Sequence, residues 1–435
     1  MSPMPIGASI AMLISLIIAL TLTPYLGYMF LRGKEKAGKE HKPTSLSESP
    51  IFKLYSRTIS PMIEKRSLRW AFMITTVVIL LASTALFVTR SVSVKMLPFD
   101  NKNEFQVVID MPEGTSLERT AAVTSEIASY IARQPMITSY QGYVGTSGPM
   151  SFNGLVRHYD MRRGGNVADI QVNLIDKKER SLQSHDIAKS MRDGIQAIGK
   201  KYQANVKLVE VPPGPPVRST LEAEIYGPDY AKQIEVARQL KDLFESTNDV
   251  VDVDWSVEDD QTEYQFQVDK EKAMRMGIAP AQIVGTMHTA LSGQDVGMLH
   301  DPVSYSPVSI RLQLADAGKS SLNDLRSIKV VGQMGNLVPV GDLVDINETT
   351  IPKSIQRKNQ QRVVYVLADM AGKLESPFYA MNRMSDKIKA FDLPAGYTLG
   401  EEYSHAPESD DNFSLKWDGE WQITYEVFRD LGIAF

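Results

Sequence analysis

The sequence predicts an α+β membrane protein, in which two transmembrane helices precede a duplicated α+β unit. Two long windows without charged side chains predict the helices. A pattern of strands and amphipathic helices that recurs after residue 98 predicts the duplicated unit. Four prolines within residues 211–217 lie between the two copies and indicate a stiff, extended connector.

Composition excludes several classes of protein. The 435 residues are enough for several folding units at roughly 100–200 residues per domain. The 47 Lys and Arg against 52 Asp and Glu give a net charge of −5, so there is no basic excess to bind a phosphate backbone. The chain has no cysteine, which excludes disulfides, thiolate nucleophiles and iron–sulfur ligation. We therefore expect no nucleic-acid partner.

The first predicted transmembrane helix lies within residues 1–31, which contain no charged residue. Residues 7–31 alone are long enough to cross a hydrocarbon core about 30 Å thick. A signal peptide would need a basic start and a shorter apolar stretch, and this sequence has neither. The second predicted helix covers residues 70–89, an uncharged window between Arg69 and Arg90.

The segment between the two helices, residues 32–69, is predicted to be cytoplasmic. It carries ten Lys and Arg against four acids, and short basic loops stay on the cytoplasmic side. Apolar residues at helical spacing within 51–63 predict a helix at the membrane interface, although an ordinary solvated linker is the alternative. Residues after Arg90 are then expected to lie on the periplasmic side.

The sequence after residue 98, on the predicted periplasmic side, predicts two copies of one unit. Residues 98–219 show strand, helix, strand, strand, helix, strand, which is the split β-α-β order of a ferredoxin-like domain. A second copy is predicted from residues 220–260 and 360–402, with an α+β lobe inserted at 261–358. Residues 417–435 become apolar only near their end, and we expect them to begin a third transmembrane helix.

No motif in the chain predicts catalysis or a cofactor. The six histidines lie at positions 41, 158, 185, 288, 300 and 405, and no pair has the helical spacing of a zinc site. There is no nucleophile elbow, phosphate-binding loop or dinucleotide fingerprint. We therefore expect a protein that is not an enzyme and binds no cofactor or resident metal.

One predicted loop is long enough to suggest a function. Residues 142–165 join two strands where a hairpin would use two to five residues, and such loops often belong to binding sites. Tyr143, Met150, Phe152 and Leu155 give this loop adaptable apolar surface. An unspecialised long loop is the alternative. A second alternative is a soft-metal site, because thioethers favour Cu(I), with the candidates Met111, Met136, Met150 and Met161.

Several segments, in order, resemble the resistance-nodulation-cell division (RND) efflux permeases of Gram-negative inner membranes. They include PMPIGASIAMLISLIIALTLTP, LPFDNKNEFQVVIDMPEGTSLERT, VEVPPGPPVRSTLEAEIYGPD and GEWQITYEVFRDLGIAF. The resemblance implies a fragment of a longer permease, from its sixth span to the start of its eighth. Residues 98–219 would be the first porter subdomain, 220–260 with 360–402 the second, and 261–358 the docking subdomain.

The resemblance also implies partners and a site. Family permeases are homotrimers that work with a periplasmic adaptor (membrane fusion) protein and an outer-membrane channel, and that use proton entry to expel hydrophobic or amphiphilic small molecules. This implies a multidrug exporter of the inner membrane. The substrate-binding residues expected from the resemblance and from the long loop are Tyr140, Gly142, Tyr143, Gly145, Met150, Phe152, Leu155 and Gln171.

This sequence departs from the family pattern at the proton relay. Neither predicted span contains an ionisable residue other than Tyr, so these two spans alone are not expected to couple proton flow to transport. Two alternatives therefore stay open. Besides part of a multidrug exporter, the chain is consistent with a membrane-anchored periplasmic interaction module without transport, or with a piece of a Cu(I)/Ag(I) efflux permease.

Overall fold

The computed structural model describes residues 3–32, 50–89, 100–211, 217–372 and 375–434. Most of the predicted connector and residues 33–49 of the predicted cytoplasmic loop lie outside these ranges. The described residues form two compact units, which are residues 1–257 with 354–435, and residues 258–353. The fold is mixed α+β.

Three helices form the N-terminal part, and their bounds are α1 Pro3–Arg32, α2 Pro50–Glu64 and α3 Arg66–Val88. Within them, Ile6–Phe30 and Arg66–Leu86 are long and apolar enough to cross a membrane, by length and composition. The helix α3 begins at Arg66, whereas the sequence predicted a loop up to residue 69. Basic side chains are tolerated in the first turn of such a helix because their charged ends reach the interface.

The first sheet has four antiparallel strands in the order β2-β3-β1-β4. Its strands are β1 Glu104–Asp110, β2 Ile137–Thr146, β3 Arg163–Leu174 and β4 Asn205–Val209. Its helices are α4 Leu117–Ile131, α5 Phe152–Arg157 and α6 Ser184–Lys201. The helices α4 and α6 cover one face, where alternate strand residues such as Val107 and Ile170 pack on Ile127 and Met191.

The second sheet has five strands in the order β16-β17-β5-β15-β6. Its strands are β5 Leu221–Tyr226, β6 Val250–Trp255, β15 Val364–Met370, β16 Leu399–Glu402 and β17 Phe413–Gly419. The short strands β13 Arg357–Lys358 and β14 Gln361–Arg362 pair with each other. The helices α7 Tyr230–Glu245 and α11 Pro377–Ile388 contribute Leu240 and Met384 to the core of this sheet.

The strand β17 corrects two predicted boundaries. The sequence predicted that the second copy ends at residue 402 and that a transmembrane helix starts at 417. Instead, β17 pairs with β5, and Phe413, Leu415 and Trp417 point into the core. Trp417 is fully buried and stacks on Phe244, with ring centroids 6.1 Å apart. The helix α12 Glu420–Ala434 begins only after this strand, because the alternation of apolar and polar residues has the period of a strand.

Residues 258–353 form the second unit around a core of their own, where the sequence predicted a lobe at 261–358. The strands pair as β7 with β12, β8 with β9, and β10 with β11. Their bounds are β7 Thr262–Val268, β8 Gln294–Leu299, β9 Val308–Leu312, β10 Lys329–Val331, β11 Leu337–Pro339 and β12 Val344–Thr350. The helices are α8 Lys270–Arg275, α9 Pro280–Ser292 and α10 Leu322–Ser327.

Candidate functional site

The predicted loop 142–165 is shorter in the structure because β2 and β3 continue their pairing into it. Val144 pairs with Ala168, and Thr146 pairs with Arg163 after a register shift. Gly145 lies at this shift with φ +79, a conformation that favours glycine, and a Cβ there would lie 2.7 Å from Leu117 Cδ1. The connection between the two strands is therefore residues 147–162, called here the β2–β3 segment.

The register divides the predicted site residues between the two faces of the sheet. Tyr140 is opposite Val172 and Gly142 is opposite Ile170, so both lie on the side covered by helices. A Cβ on Gly142 would lie 3.6 Å from Thr124 Cγ2 on α4. Tyr140 and Gly142 are therefore not on the same wall as Tyr143 and Gln171.

The opposite face of the first sheet, called here the polar face, carries Tyr143 and Gln171. Tyr143 is opposite Asp169, and Gln171 is opposite both Gln141 and Gln106. Tyr143 donates its hydroxyl to Gln141 Oε1 at 2.8 Å, while Gln171 donates to Glu104 Oε2 at 3.0 Å. The structure thus brings Tyr143 and Gln171 to one face, and it separates them from Tyr140 and Gly142.

The β2–β3 segment contains the remaining predicted residues. Ser151 caps α5 by accepting a hydrogen bond from Gly154 N at 3.1 Å, and His158 ends the helix with φ 58. Phe152 is the first residue of α5, and its side chain lies outside the described part of the structure. Met150 is 73% exposed and Leu155 52%, so this segment presents apolar surface to its surroundings.

Arg162 attaches the end of the segment to the first sheet. Its guanidinium donates to Asp169 Oδ1 at 2.6 Å, to Ile109 O at 2.9 Å, and to Asp110. Asp169 also accepts a hydrogen bond from Gly148 N at 2.7 Å, near the start of the segment. Both ends of the segment are therefore held on the same buried carboxylate.

The charges beneath the segment are buried and mutually neutralised. Lys207 donates to Asp110 at 2.8 Å and to Asp254, and its ammonium lies 5.7 Å from the centre of the Tyr159 ring. Burial alone would raise the pKa of Asp110, but Lys207 and Arg162 lower it below its usual value. Asp110 is therefore ionised at neutral pH, and it holds two cations in place.

Several ion pairs connect this region to the second sheet. Arg157 at the end of α5 donates to Asp369 on β15, with Nη1 to Oδ2 at 2.9 Å and Nη2 to Oδ1 at 3.3 Å. Arg192 pairs with Asp252. His185 lies 2.9 Å from Glu375. The two sheets of this unit thus meet through buried charged groups.

Sequence reasoning did not find a group of acids on the second sheet. Glu222 and Glu224 on β5 and Asp418 on β17 bring one carboxylate oxygen each within 4.8 Å of one another. Lys358 contacts both Glu224 and Asp418, and Lys416 lies 3.1 Å from Asp418. The two lysines already supply positive charge to this group. The alternating polar residues of β5 and β17 were the signal that could have revealed it.

The four methionines predicted as soft-metal candidates do not converge on one site. Met111 is buried in the core of the first sheet, and Met136 packs against that core. Met150 and Met161 are exposed on the β2–β3 segment. The four candidates for a soft-metal site are thus divided between an apolar core and an exposed segment, and only Met150 and Met161 are accessible to a ligand.

Comparison with known proteins gives a family and distant relatives. Residues 1–412 match the model of the AcrB/AcrD/AcrF family. The chain is 21% identical over 354 residues to an uncharacterized transporter of Haemophilus influenzae, covering 80% of this chain and 32% of that protein. It is 20% identical over 381 residues to the swarming motility protein SwrC of Bacillus subtilis, covering 86% and 33%. The chain thus spans about a third of the length of these relatives.

Two solved structures are similar to this chain in fold. A crystal structure of a heavy metal efflux pump superimposes with a TM-score of 0.65 and 12% identity, covering 88% of this chain and 36% of the pump. A second crystal form gives the same score with 13% identity, and covers 89% and 38%. Since the family model matches most of the sequence, the chain belongs to the AcrB/AcrD/AcrF family of RND efflux permeases.

Proposed function

We propose that this chain forms part of the periplasmic substrate pathway of a multidrug exporter in the inner membrane. The observation that carries the proposal is the β2–β3 segment, which exposes Met150, Leu155 and Met161 while Arg162 holds it on buried carboxylates. Exposed apolar side chains lose unfavourable hydration when they contact an apolar ligand. The segment is therefore suited to contact hydrophobic or amphiphilic small molecules.

The chemistry of the segment favours loose specificity. Methionine is unbranched and polarisable, so it adapts to ligands of different shape. Tyr143 and Gln171, on the polar face of the same sheet, add groups that can form hydrogen bonds. We include Gly145 as the residue that permits the register shift before the segment, rather than as a contact.

The family supports further proposals about architecture. The first sheet has the strand order 2-3-1-4, and the second has 2-3-1-5-4 when its strands are counted along the chain. The second order matches the first with β17 in the place of the fourth strand and β16 added at the edge, so we propose two ferredoxin-like porter subdomains. Residues 258–353 would be the docking subdomain. We also propose a homotrimer that works with a periplasmic adaptor and an outer-membrane channel, and that is driven by proton antiport. The ionisable residues of such a relay would lie outside the two candidate spans.

Export of soft metal ions is the second candidate. Two thioethers, Met150 and Met161, are exposed on the same segment, and thioethers bind Cu(I) and Ag(I). The structural similarity to a heavy metal efflux pump agrees with this candidate at the level of the fold.

Binding by the purified chain in lipid nanodiscs separates the two candidates. The probes are rhodamine 6G, a cationic amphiphilic dye, followed by fluorescence polarisation, and Ag⁺, followed by calorimetry. A double variant with Met150→Leu and Met161→Leu keeps the apolar surface and removes both thioethers. A second double variant with Met150→Ser and Leu155→Ser removes apolar surface. Met334→Ser, at a 94% exposed methionine in the second unit, is the matched control.

The multidrug proposal predicts that the dye binds, that the serine variant weakens its binding, and that the leucine variant and the control do not. The metal candidate predicts Ag⁺ binding that the leucine variant removes. Absence of binding by both probes would contradict both candidates, and would leave the membrane-anchored interaction module. Co-purification with an adaptor protein would then be the supporting measurement for that module.

A further inference from the structure

We infer that Asp369, which lies on the second sheet, positions the β2–β3 segment of the first sheet through Arg157. The two residues are 212 positions apart in the chain, yet they form a bidentate ion pair. The Arg157 side chain is 10% exposed and that of Asp369 is 13%. The inference rests on the proposed function only in calling the exposed side chains of this segment a substrate contact.

The carboxylate of Asp369 is itself held firmly. Its Oδ1 accepts hydrogen bonds from Thr220 N at 3.1 Å and from Thr220 Oγ1 at 3.2 Å, at the start of β5. Burial alone would raise the pKa of Asp369, but Arg157 and these bonds lower it, so the carboxylate stays charged. Asp369 is therefore a fixed acceptor on the second sheet, to which a mobile partner can be attached.

The helix α5 needs such an attachment. It has six residues, and helices of this length are not stable by themselves. Its capping residue Ser151 belongs to the segment and cannot fix the position of the helix on the protein. Arg162 holds the residues after α5. Arg157, the last residue of α5, connects the helix itself to a rigid sheet, and with it the exposed Leu155.

Geometry favours a positioning role over a stabilising one. A buried ion pair recovers in Coulomb energy little more than the cost of removing both charges from water. The bidentate arrangement nevertheless fixes both the distance and the orientation of the two groups. The position of Met150 and Leu155 is therefore set by a residue of the other subdomain, and a displacement of the second sheet would be transmitted to the segment.

The absence of cysteine makes this inference directly testable, because a single introduced cysteine receives a spin label without background. A nitroxide at Met150→Cys reports the mobility of the segment in electron paramagnetic resonance spectra of the full chain. Asp369→Asn keeps the acceptor oxygen for Thr220 but presents an amide to Arg157. Glu235→Gln is the matched control, because it removes the exposed partner of Lys232 on α7 of the same subdomain.

We expect Asp369→Asn to increase the mobility of the label at position 150 and Glu235→Gln to leave it unchanged. A second label at Asp386→Cys, which is exposed on α11, is expected to keep its spectrum because the second sheet stays folded. Arg157→Gln removes the same pair from the other side and leaves Asp369 bonded to Thr220. The double variant with Asp369→Asn and Arg157→Gln is expected to give the same label mobility as either single variant, because all three lack the same ion pair.

An unchanged spectrum at position 150 in both Asp369→Asn and Arg157→Gln would overturn the inference. Binding of rhodamine 6G provides a separate readout, and we expect Asp369→Asn to weaken it by about fivefold or more if position and binding are coupled. If Asp369→Asn frees the label but the unsubstituted chain does not bind the dye, the proposed function is contradicted and the positioning role stands. If Asp369→Asn frees the label but does not change dye binding, Asp369 positions the segment without affecting substrate binding, and the link to substrate is overturned.

Discussion

The two sheets of the larger unit are alike on their helix-covered faces and different on their opposite faces. In the first sheet, the buried acid Asp169 is neutralised by Arg162 from the β2–β3 segment. In the second sheet, Glu224 and Asp418 are neutralised by lysines of the sheet itself and of its neighbouring hairpin, Lys416 and Lys358. The cation of Asp169 thus belongs to the β2–β3 segment, whereas the cations of Glu224 and Asp418 come from the second sheet and its hairpin.

The largest effect is expected where the two sheets are alike, in the apolar core. Trp417→Ala should lower the free energy of unfolding by about 3 to 5 kcal/mol, because it leaves a cavity beside Phe244. Urea denaturation of the purified chain measures this. Met150→Ala, at an exposed position, should change stability by less than about 0.5 kcal/mol. A small effect of Trp417→Ala would instead agree with the original expectation of a membrane helix starting at 417.

The second-largest effect is expected on the face of the first sheet that the β2–β3 segment covers. Arg162→Met should destabilise the chain by about 3 kcal/mol, because it leaves Asp169 buried without its cation. Lys358→Met in the second sheet should cost about 1 kcal/mol, because Lys358 is more exposed and Lys416 still lies beside Asp418. Thermal denaturation of both variants compares the two faces. Equal losses would show that the difference between them has no energetic consequence.

The second sheet also contains an acid that is costly to ionise. Burial and the nearby Asp418 together raise the pKa of Glu222 to about 7, while Arg218 opposes the shift. A raised carboxyl pKa removes stability as the pH rises from 4.5 through 7. Glu222→Gln should therefore stabilise the chain by about 2 kcal/mol at pH 8, with a gain that vanishes near pH 4.5. Melting temperatures across this range measure it, and a gain independent of pH would argue against ionisation as the cause.

The smallest effect concerns the charged contact between the two sheets at His185. Burial alone would lower its pKa, but hydrogen bonds to Glu210 and Glu375 raise it to about 9. A raised histidine pKa adds stability that is complete below pH 6.5 and is lost as the pH rises through 9. The melting temperature should fall over this window, and His185→Gln should flatten the curve, with a difference of about 1 to 2 kcal/mol at pH 6.5. An identical pH dependence in the variant would remove His185 from the explanation.

Local patterns predicted much of the fold. The uncharged windows predicted α1 and α3, and the pattern of strands and helices after residue 98 predicted the element order of the first sheet. The strand β17 was missed because Trp417 was interpreted with the apolar residues that follow it rather than with Phe413 and Leu415 before it. The predicted site residues came from the resemblance and from the long loop, and neither reveals the side of a sheet on which a residue lies. The alternation of a strand already separates Tyr140 from Tyr143. Only the register showed that Gln171 shares a face with Tyr143.

The sequence by itself determined the class of this protein, because charge-free windows and hydrophobic periodicity are local properties of neighbouring residues. It also contained the acids and bases of the contact between the two sheets, but not their pairing. Arg157 meets Asp369 across 212 positions, and Lys207 meets Asp254 only because β4 and β6 come side by side. Such pairs depend on how two separately formed sheets are placed in space, and only the tertiary structure decides that.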